Sequence, residues 1–469
     1  MACLIAAPAS GSGKTLVSLA LTALARRRGR TIQTFKVGPD YLDPQLLSAA
    51  SGRFCRNLDP LLCSETWVRQ SFWRHGSSAD LAVVEGVMGL FDGRGPTADG
   101  SSAAVAALLG LPVVLVVEAS RQAGSIAALV RGFRDHQPEL TIAGVVLNGV
   151  GSERHLALLR EALAAITMPL LGALPRHDSL VLPSRHLGLL PAHELQDLET
   201  RLADWAALAE RHLDLEQLWP LLQAPQKPTP ANGIWNEAGA GAGRAHAAAA
   251  QPESITIAIA CDAAFHFRYP EARELLEGEG LTVHPWSPLA DQALPADCRA
   301  LILPGGYPEL HAAQLAASGR SLSALRDAAA RGLPIYAECG GLLLLGRGLA
   351  DVDGNEHAMA GLLPFTARRG PLSLGYREAI AAGDGLVLRR GERLSGHEFH
   401  RWQLDGEAAA GGAGAQPLWQ LEGWGTAPRP EGWGGPRLHA SWLHLHWGGC
   451  PQIPRRLAAA ARQSSALTR

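Results

Sequence analysis

Six residues near the start of the chain, Ser10-Gly11-Ser12-Gly13-Lys14-Thr15, narrow the choice of fold more than any others. They follow the short apolar run Cys3–Ala7, which reads as a buried strand, and open the helical stretch Thr15–Arg28. A strand that turns through glycines into a helix aims backbone N–H groups and the positive helix end at one point, which favours phosphate. Lys14 is placed to pair with terminal phosphates, and the Thr15 hydroxyl is placed to hold Mg²⁺. The match to the eight-residue phosphate-loop pattern is partial, because Pro8 stands where the first glycine belongs.

The residues that follow alternate between strand-like and helix-like character. Thr31–Lys36, Leu81–Glu85, Val113–Glu118 and Ile142–Asn148 are short apolar or β-branched runs, and Ser101–Leu109, Ser125–Phe133 and Glu153–Ile166 are helical stretches. Apolar strands without polar alternation are buried on both faces, which means a parallel sheet covered by helices. The basic last turn of Thr15–Arg28 suits the negative end of a helix. Two segments place carboxylates just past a strand end, where open α/β sheets bind ligands: Lys36–Pro44 and Glu85–Gly93. Asp40 and Glu85 are Mg²⁺ ligands by type, since hard cations prefer oxygen.

At 469 residues the chain exceeds one ordinary core, so two domains are expected. The stretch at residues 225–253, with Ala238–Gly243 and Ala247–Ala250, is low in complexity and reads as a linker. The expected domains are therefore residues 1–224 and 254–469. A formal net charge of −2 offers no electrostatic case for nucleic acid or an anionic membrane. Seven irregularly spaced cysteines do not form a disulfide framework, and a reducing cytoplasm suits them. The N-terminus lacks the basic region of a signal peptide, and no apolar run reaches the ~20 residues that span a bilayer.

The second half restarts with the strand Ile255–Ala260; Arg299–Leu303 and Leu333–Ala337 are further strands. The last of these runs into Glu338-Cys339-Gly340-Gly341. A thiol on a sharp strand-to-helix turn is exposed beside a helix N-terminus, which is expected to lower its pKa and make Cys339 a nucleophile. The N–H groups near Gly340 and Gly306 are candidate oxyanion donors. A base is also needed. Ser441–Trp447 offers His444 and His446, which would share one face of a strand. His397-Glu398-Phe399-His400 lacks zincin spacing and reads as strand or turn with non-metal roles. Ala408–Pro436 reads as a long loop or insertion. Six of the twelve tryptophans lie between Trp402 and Trp447 and read as apolar filler.

Taken in order, these segments resemble the cobyrinate a,c-diamide synthase family, including its hydrogenobyrinate-using form. The resemblance rests on Ala7–Thr15, Lys36–Pro44, Glu85–Gly93, Leu147–His155, Leu180–Leu189, Leu303–Glu309, Ala337–Gly341, Gly375–Glu378 and Gly396–His400. It implies an N-terminal dethiobiotin-synthetase-like phosphate-loop domain joined to a C-terminal triad-type glutamine amidotransferase domain, both α/β. It also accounts for Pro8, since the family does not keep the first glycine. Glu118 departs from it, because Asp is expected there.

The resemblance further implies ATP-dependent amidation of the a- and c-acetates of cobyrinate, through acyl phosphates, with glutamine or ammonia as nitrogen donor. Cys339 is then the glutaminase nucleophile. His444 is its base, because Trp442-Leu443-His444 is similar to a Tyr-Leu-His segment of related amidotransferases. The family often lacks the third triad carboxylate, and none is evident here. Asp43 and Asp92 are candidates for substrate positioning or the phosphorylation step, and Asn148 for reading adenine. The implied partners are a cobyrinate-type tetrapyrrole, glutamine, ATP and Mg²⁺; a homodimer is left open. Sister enzymes acting on hydrogenobyrinate or Ni-sirohydrochlorin, or making cobyric acid, are the nearest alternatives. A partition-type ATPase switch would need no working thiol, so Cys339 and His444 argue against it.

Overall fold

In a computed structural model of the chain, the apolar runs of the first half become seven strands: β1 (Cys3–Ala6), β2 (Ile32–Val37), β3 (Arg56–Leu58), β4 (Leu81–Glu85), β5 (Val113–Glu118), β6 (Ile142–Val150) and β7 (Leu170–Pro175). Between them run α1 (Lys14–Arg27), α2 (Asp43–Ser51), α3 (Glu65–Gly76), α4 (Ser102–Leu109), α5 (Ser125–His136) and α6 (Glu153–Ala164). A two-stranded ribbon of β8 (Ser184–Arg185) and β9 (Gly188–Leu189) follows, then α7 (Leu198–His212) and α8 (Leu215–Leu221). The structure describes residues 2–176, 184–185, 188–189, 191–195, 197–226, 255–405 and 417–464. They fall into two compact units, before and after residue 231. The stretch read as a linker lies, apart from Pro225 and Gln226, outside the described residues, as does most of Leu180–Leu189.

In the first unit the sheet order is β3-β2-β4-β1-β5-β6-β7, all parallel. Alternate residues of each strand serve opposite cores. Cys3, Ile5, Val83, Val114 and Val116 join the core under α1 and α7, while Leu4, Ala82, Val84, Val113, Leu115 and Val117 join the core under α3 to α6. Burial on both faces is why these strands read as unbroken apolar runs. Side-chain caps fix helix starts: the Ser64, Ser101 and Ser152 hydroxyls accept from the N–H groups of Trp67, Ala104 and His155. Because chain order reverses around β1, a crevice opens at the C-terminal ends of β1 and β4.

The second unit contains β10 (Ile255–Ala260), α9 (Pro270–Gly278), β11 (Leu281–Trp286), β12 (Cys298–Leu303), α10 (Ala312–Ala317), α11 (Gly319–Ala330), β13 (Ile335–Glu338), α12 (Gly340–Leu345), β14 (Gly348–Ala350) and β15 (Glu356–Ala358). It continues with β16 (Thr366–Ala381), β17 (Arg393–Asp405), β18 (Pro417–Gly423), β19 (Thr426–Gly434), β20 (Leu438–Ser441) and α13 (Gln452–Gln463). The sheet order is β11-β10-β12-β13-β20-β19-β18-β16-β14-β15, with β17 also paired to β16. The five strands from β11 to β20 are parallel; β20 to β18 and β18 to β17 pair antiparallel.

Two readings need correction. Residues 417–434 are not a loop: β18 and β19 form a hairpin that turns at Trp424-Gly425, with Gly425 at φ +67°. Pro428, Pro430 and two glycines give β19 the composition of a turn, but pairing on both edges, to β18 and β20, holds it extended. Residues 408–416 of that reading lie outside the described residues. Secondly, β20 ends at Ser441, so His444 and His446 do not share a strand face; they lie in irregular chain beyond it. The tryptophans behave as filler at Trp402, Trp419, Trp433, Trp442 and Trp447, all buried, whereas Trp424 is 69% exposed.

Candidate active sites

In the first unit, β1 delivers the chain to Pro8 and the glycine-rich turn. Gly11 and Gly13 have φ of +80° and +105°, conformations that a side chain disfavours. A Cβ on Gly13 would also lie 2.5 Å from Asn148 Nδ2. That amide donates to the Ser12 carbonyl at 3.0 Å and lies 3.4 Å from Glu118 Oε2, so Asn148 and Glu118 brace the turn from the ends of β6 and β5. Lys14 donates to the Met88 carbonyl at 2.6 Å, and Met88 holds a strained φ of +47°. Burial, then the neighbouring Lys36, lowers the Lys14 pKa to about 8.

Register places Lys36 of β2 opposite Glu85 of β4, past the same sheet end. The Lys36 ammonium donates to Asp43 Oδ2 at 2.5 Å, Glu85 Oε1 at 2.7 Å and the Gly86 carbonyl at 3.1 Å, with Asp40 Oδ2 at 3.6 Å. Burial opposes its charge, but Asp43, Glu85 and Asp40 outweigh burial and hold the ammonium well above its ordinary pKa. Burial and the adjacent Asp43 raise Asp40, and burial raises Glu85; Lys36 overcomes burial at Asp43 and holds it down. Thr15 donates its hydroxyl to Glu85 Oε1 at 2.8 Å. Asp92 lies in the loop after β4, where its carboxylate accepts from the Gly89 N–H at 2.8 Å. Asp40, Asp43 and Glu85 thus converge on one cation, Lys36, a residue whose composition and spacing had given it no role.

Glu85 Oε2 is buried with no hydrogen-bond partner among the described residues. An orphaned carboxylate oxygen beside the Thr15 hydroxyl is a hard-oxygen donor pair that suits Mg²⁺. Asp40 fits less directly. Its Oδ1 accepts from the N–H groups of Leu42 and Asp43, and its Oδ2 faces Lys36.

In the second unit three neighbouring parallel strands, β12, β13 and β20, end together. Cys339 follows β13 at φ +45°, ψ −104°, a backbone conformation that L-residues adopt rarely. Its N–H donates to the Ser441 carbonyl at 2.7 Å, and its thiol lies 3.7 Å from the Phe399 carbonyl of β17. Glycines crowd around it because nothing larger fits. A Cβ on Gly341 would lie 1.9 Å from Leu303 O, on Gly306 2.0 Å from Ala264 O, on Gly305 2.4 Å from His444 Cε1 and on Gly340 2.9 Å from Gly306 N. The structure therefore gathers Gly305-Gly306, Cys339-Gly340 and His444.

The expected lowering of the thiol pKa is not found. Burial, then the carboxylate of Glu309, pushes the Cys339 thiol up. At 4% exposure the sulfur loses more from desolvation than a one-turn-plus helix returns. Glu309 is itself raised to about 7 by burial. His444 is held by reciprocal backbone bonds with His397, at 3.0 and 2.9 Å, and its Nδ1 lies 3.7 Å from Glu338 Oε2. His446 meets different groups: its ring lies tilted against Tyr269, with centroids 4.3 Å apart, and its Nε2 lies 3.7 Å from Glu271.

Glu398, from Gly396–His400, is fully buried among Arg377 at 2.7 Å, Ser373 at 3.0 Å and Arg429. Burial opposes its charge, but His400 and the two guanidinium groups hold it well below the ordinary carboxylate range. The segment is a strand whose acid is engaged by cations, and it fixes the Phe399 carbonyl against the thiol. Replacing Gly306 with alanine tests how tightly this corner is built. The methyl would displace the Ala264 backbone, and we expect glutamine hydrolysis to fall ~10²–10³-fold, the scale of losing one oxyanion donor. Wild-type glutaminase kinetics in a folded Gly306→Ala protein would contradict the assignment.

Comparison with known proteins agrees with the two-unit division. Residues 3–190 match the family model described as CobQ/CobB/MinD/ParA nucleotide binding domain. Residues 256–451 match that described as CobB/CobQ-like glutamine amidotransferase domain. Cobyrinate a,c-diamide synthase of a Synechococcus species is 42% identical over 472 residues, covering 100% of both chains. The Gloeobacter violaceus protein of the same name is 44% identical over 97% of this chain and 96% of its own. Hydrogenobyrinate a,c-diamide synthase of Streptomyces coelicolor is 41% identical over 98% of this chain and 97% of its own.

Proposed function

The chain belongs to the cobyrinate a,c-diamide synthase family, and on that premise we propose how its two sites divide the reaction. It is an ATP-using, glutamine-hydrolysing carbon–nitrogen ligase of cobalamin biosynthesis, which amidates the a- and c-acetate carboxylates of a cobyrinate-type macrocycle. The observation that carries the division is one chain with a glycine-rich phosphate cradle and a cysteine held at positive φ among close-packed glycines.

In the second unit Cys339 attacks the glutamine side-chain amide. The thiol is raised by burial, so its proton passes to His444 as the sulfur bonds to carbon. Charge on the former carbonyl oxygen is met by N–H groups near Gly306 and Gly340. The proton on His444 moves to the leaving nitrogen, ammonia departs and a glutamyl thioester remains. Water then releases glutamate and restores the thiol.

In the first unit the turn from Gly11 to Thr15 wraps the ATP phosphates, with Lys14 leaving the Met88 carbonyl for the terminal phosphates. Mg²⁺, held by the Thr15 hydroxyl and Glu85 with Asp40 beside them, would neutralise phosphate charge. A substrate acetate attacks the γ-phosphorus, giving an acyl phosphate and ADP. Ammonia then attacks the acyl carbon and phosphate leaves. Asp43 and Asp92 position the substrate for this step, and Asn148 braces the turn against the nucleotide. A carboxylate is a poor electrophile, which is why phosphorylation comes first. All seven cysteines are free thiols, which suits a reducing cytoplasm. Among the described residues no helix is long and apolar enough to cross a membrane.

Relatives named for both cobyrinate and hydrogenobyrinate keep two substrates in view. Incubating the enzyme with ATP, glutamine and each of cobyrinate, hydrogenobyrinate and Ni-sirohydrochlorin, with mass-spectrometric detection, separates them. Two amides are expected on one or both of the first two acids. Preferential amidation of Ni-sirohydrochlorin would overturn the substrate assignment.

A further inference from the structure

His444 needs a group that holds its ring so that one nitrogen faces the thiol, and nothing in the motifs supplied one. A carboxylate at ion-pair distance comes from the residue just before the nucleophile. Glu338 is the last residue of β13, is 7% exposed, and lies one strand from Ser441, its register partner on β20. Its Oε1 is occupied, accepting the Tyr336 hydroxyl at 2.5 Å and the Leu445 N–H at 3.3 Å. Tyr336 is anchored in turn by the Trp447 indole N–H at 3.2 Å. These bonds fix the carboxylate plane and leave Oε2 facing His444 Nδ1 at 3.7 Å. The position two residues after His444 holds no acid, and His446 there faces Glu271 and Tyr269.

We propose that Glu338 is the positioning carboxylate of the glutaminase site, orienting His444 through Nδ1 and stabilising the imidazolium formed when Cys339 gives up its proton. A separation of 3.7 Å is an ion-pair distance that shortens to a hydrogen bond once Nδ1–H carries positive charge. With Nδ1 protonated and turned to Glu338, Nε2 keeps its lone pair for the thiol proton. The strand-to-helix turn thus supplies the nucleophile and the base's partner from adjacent residues. This inference rests on the reading of Cys339 and His444 as nucleophile and base.

Glu338→Gln separates positioning from structure. The amide oxygen can still accept from Tyr336 and Leu445, while the charge facing His444 is lost. The expected result is a fall of ~10²–10⁴-fold in glutamine-driven kcat, with little change in KM for glutamine, unchanged ammonium-driven amidation and partial recovery in Glu338→Asp. Wild-type kcat in Glu338→Gln, or a Glu338→Asp protein no more active than Glu338→Gln, would overturn the proposal. If Cys339→Ala or His444→Ala also kept full glutaminase activity, the underlying reading would fall instead.

Discussion

Replacing Cys339 with alanine is expected to remove glutamine-driven amidation by ~10³-fold or more while leaving ammonium-driven amidation at the wild-type rate. The two activities separate because they use different units of the chain. The thiol, its glycine donors and His444 are confined to the second unit, and the phosphate turn with its acid cluster to the first. Alanine suits the site sterically, since it shortens a side chain already 4% exposed, although the φ of +45° remains strained for any L-residue. Measuring both nitrogen sources on one preparation makes the ammonium reaction a control for folding. Equal loss of both activities would mean that the thiol supports the fold or that the sites are not separable. Full retention of both would remove Cys339 from the mechanism.

The largest effect on stability is expected at Lys36. Substitution by methionine keeps most of the side-chain volume but leaves Asp43 and Glu85, 15% and 0% exposed, without their counter-charge. Breaking a buried ion pair from one side typically costs ~3–5 kcal/mol, because the remaining charges stay desolvated. The pH dependence has a definite sign. The Lys36 pKa is raised on folding, so its contribution is complete below the ordinary lysine value and is lost only as pH climbs through the raised one. Across neutral pH the wild-type contribution is flat. In Lys36→Met the buried carboxylates can take up protons instead, so the gap to wild type should narrow as the pH falls. Urea denaturation at several pH values checks both statements. A gap below ~1 kcal/mol at neutral pH would show that the carboxylates are solvated or protonated without Lys36.

Much of this architecture was legible because local and tertiary signals agreed. The apolar strands of the first unit are buried on both faces, so their sequence carries no polar alternation to confuse the reading. The phosphate turn and Cys339 each sit where strand, glycine and helix residues coincide. Signals failed where long-range pairing decided the outcome. β19 holds two prolines and two glycines, and only its partners β18 and β20 make it a strand. Lys36 reads as one basic residue ending a strand; its role comes from the parallel register that sets it against Glu85 and from the turn that returns Asp43. The direction of the Cys339 shift was misjudged because a helix start is visible in sequence, whereas burial and the approach of Glu309 are not. Glu338 was overlooked for a related reason: it precedes the nucleophile, and its reach to His444 exists only because β13 and β20 are neighbours.

The most direct measurement supplies the wild-type enzyme with ATP, cobyrinate and glutamine labelled with ¹⁵N at the side-chain amide, in the presence of unlabelled ammonium, and counts label in the product. The expected result is two added amides, enriched in ¹⁵N beyond dilution by free ammonium, and none without ATP. Amides labelled only in proportion to the free pool would contradict delivery from Cys339 to the acyl phosphate, and amidation without ATP would contradict activation in the first unit.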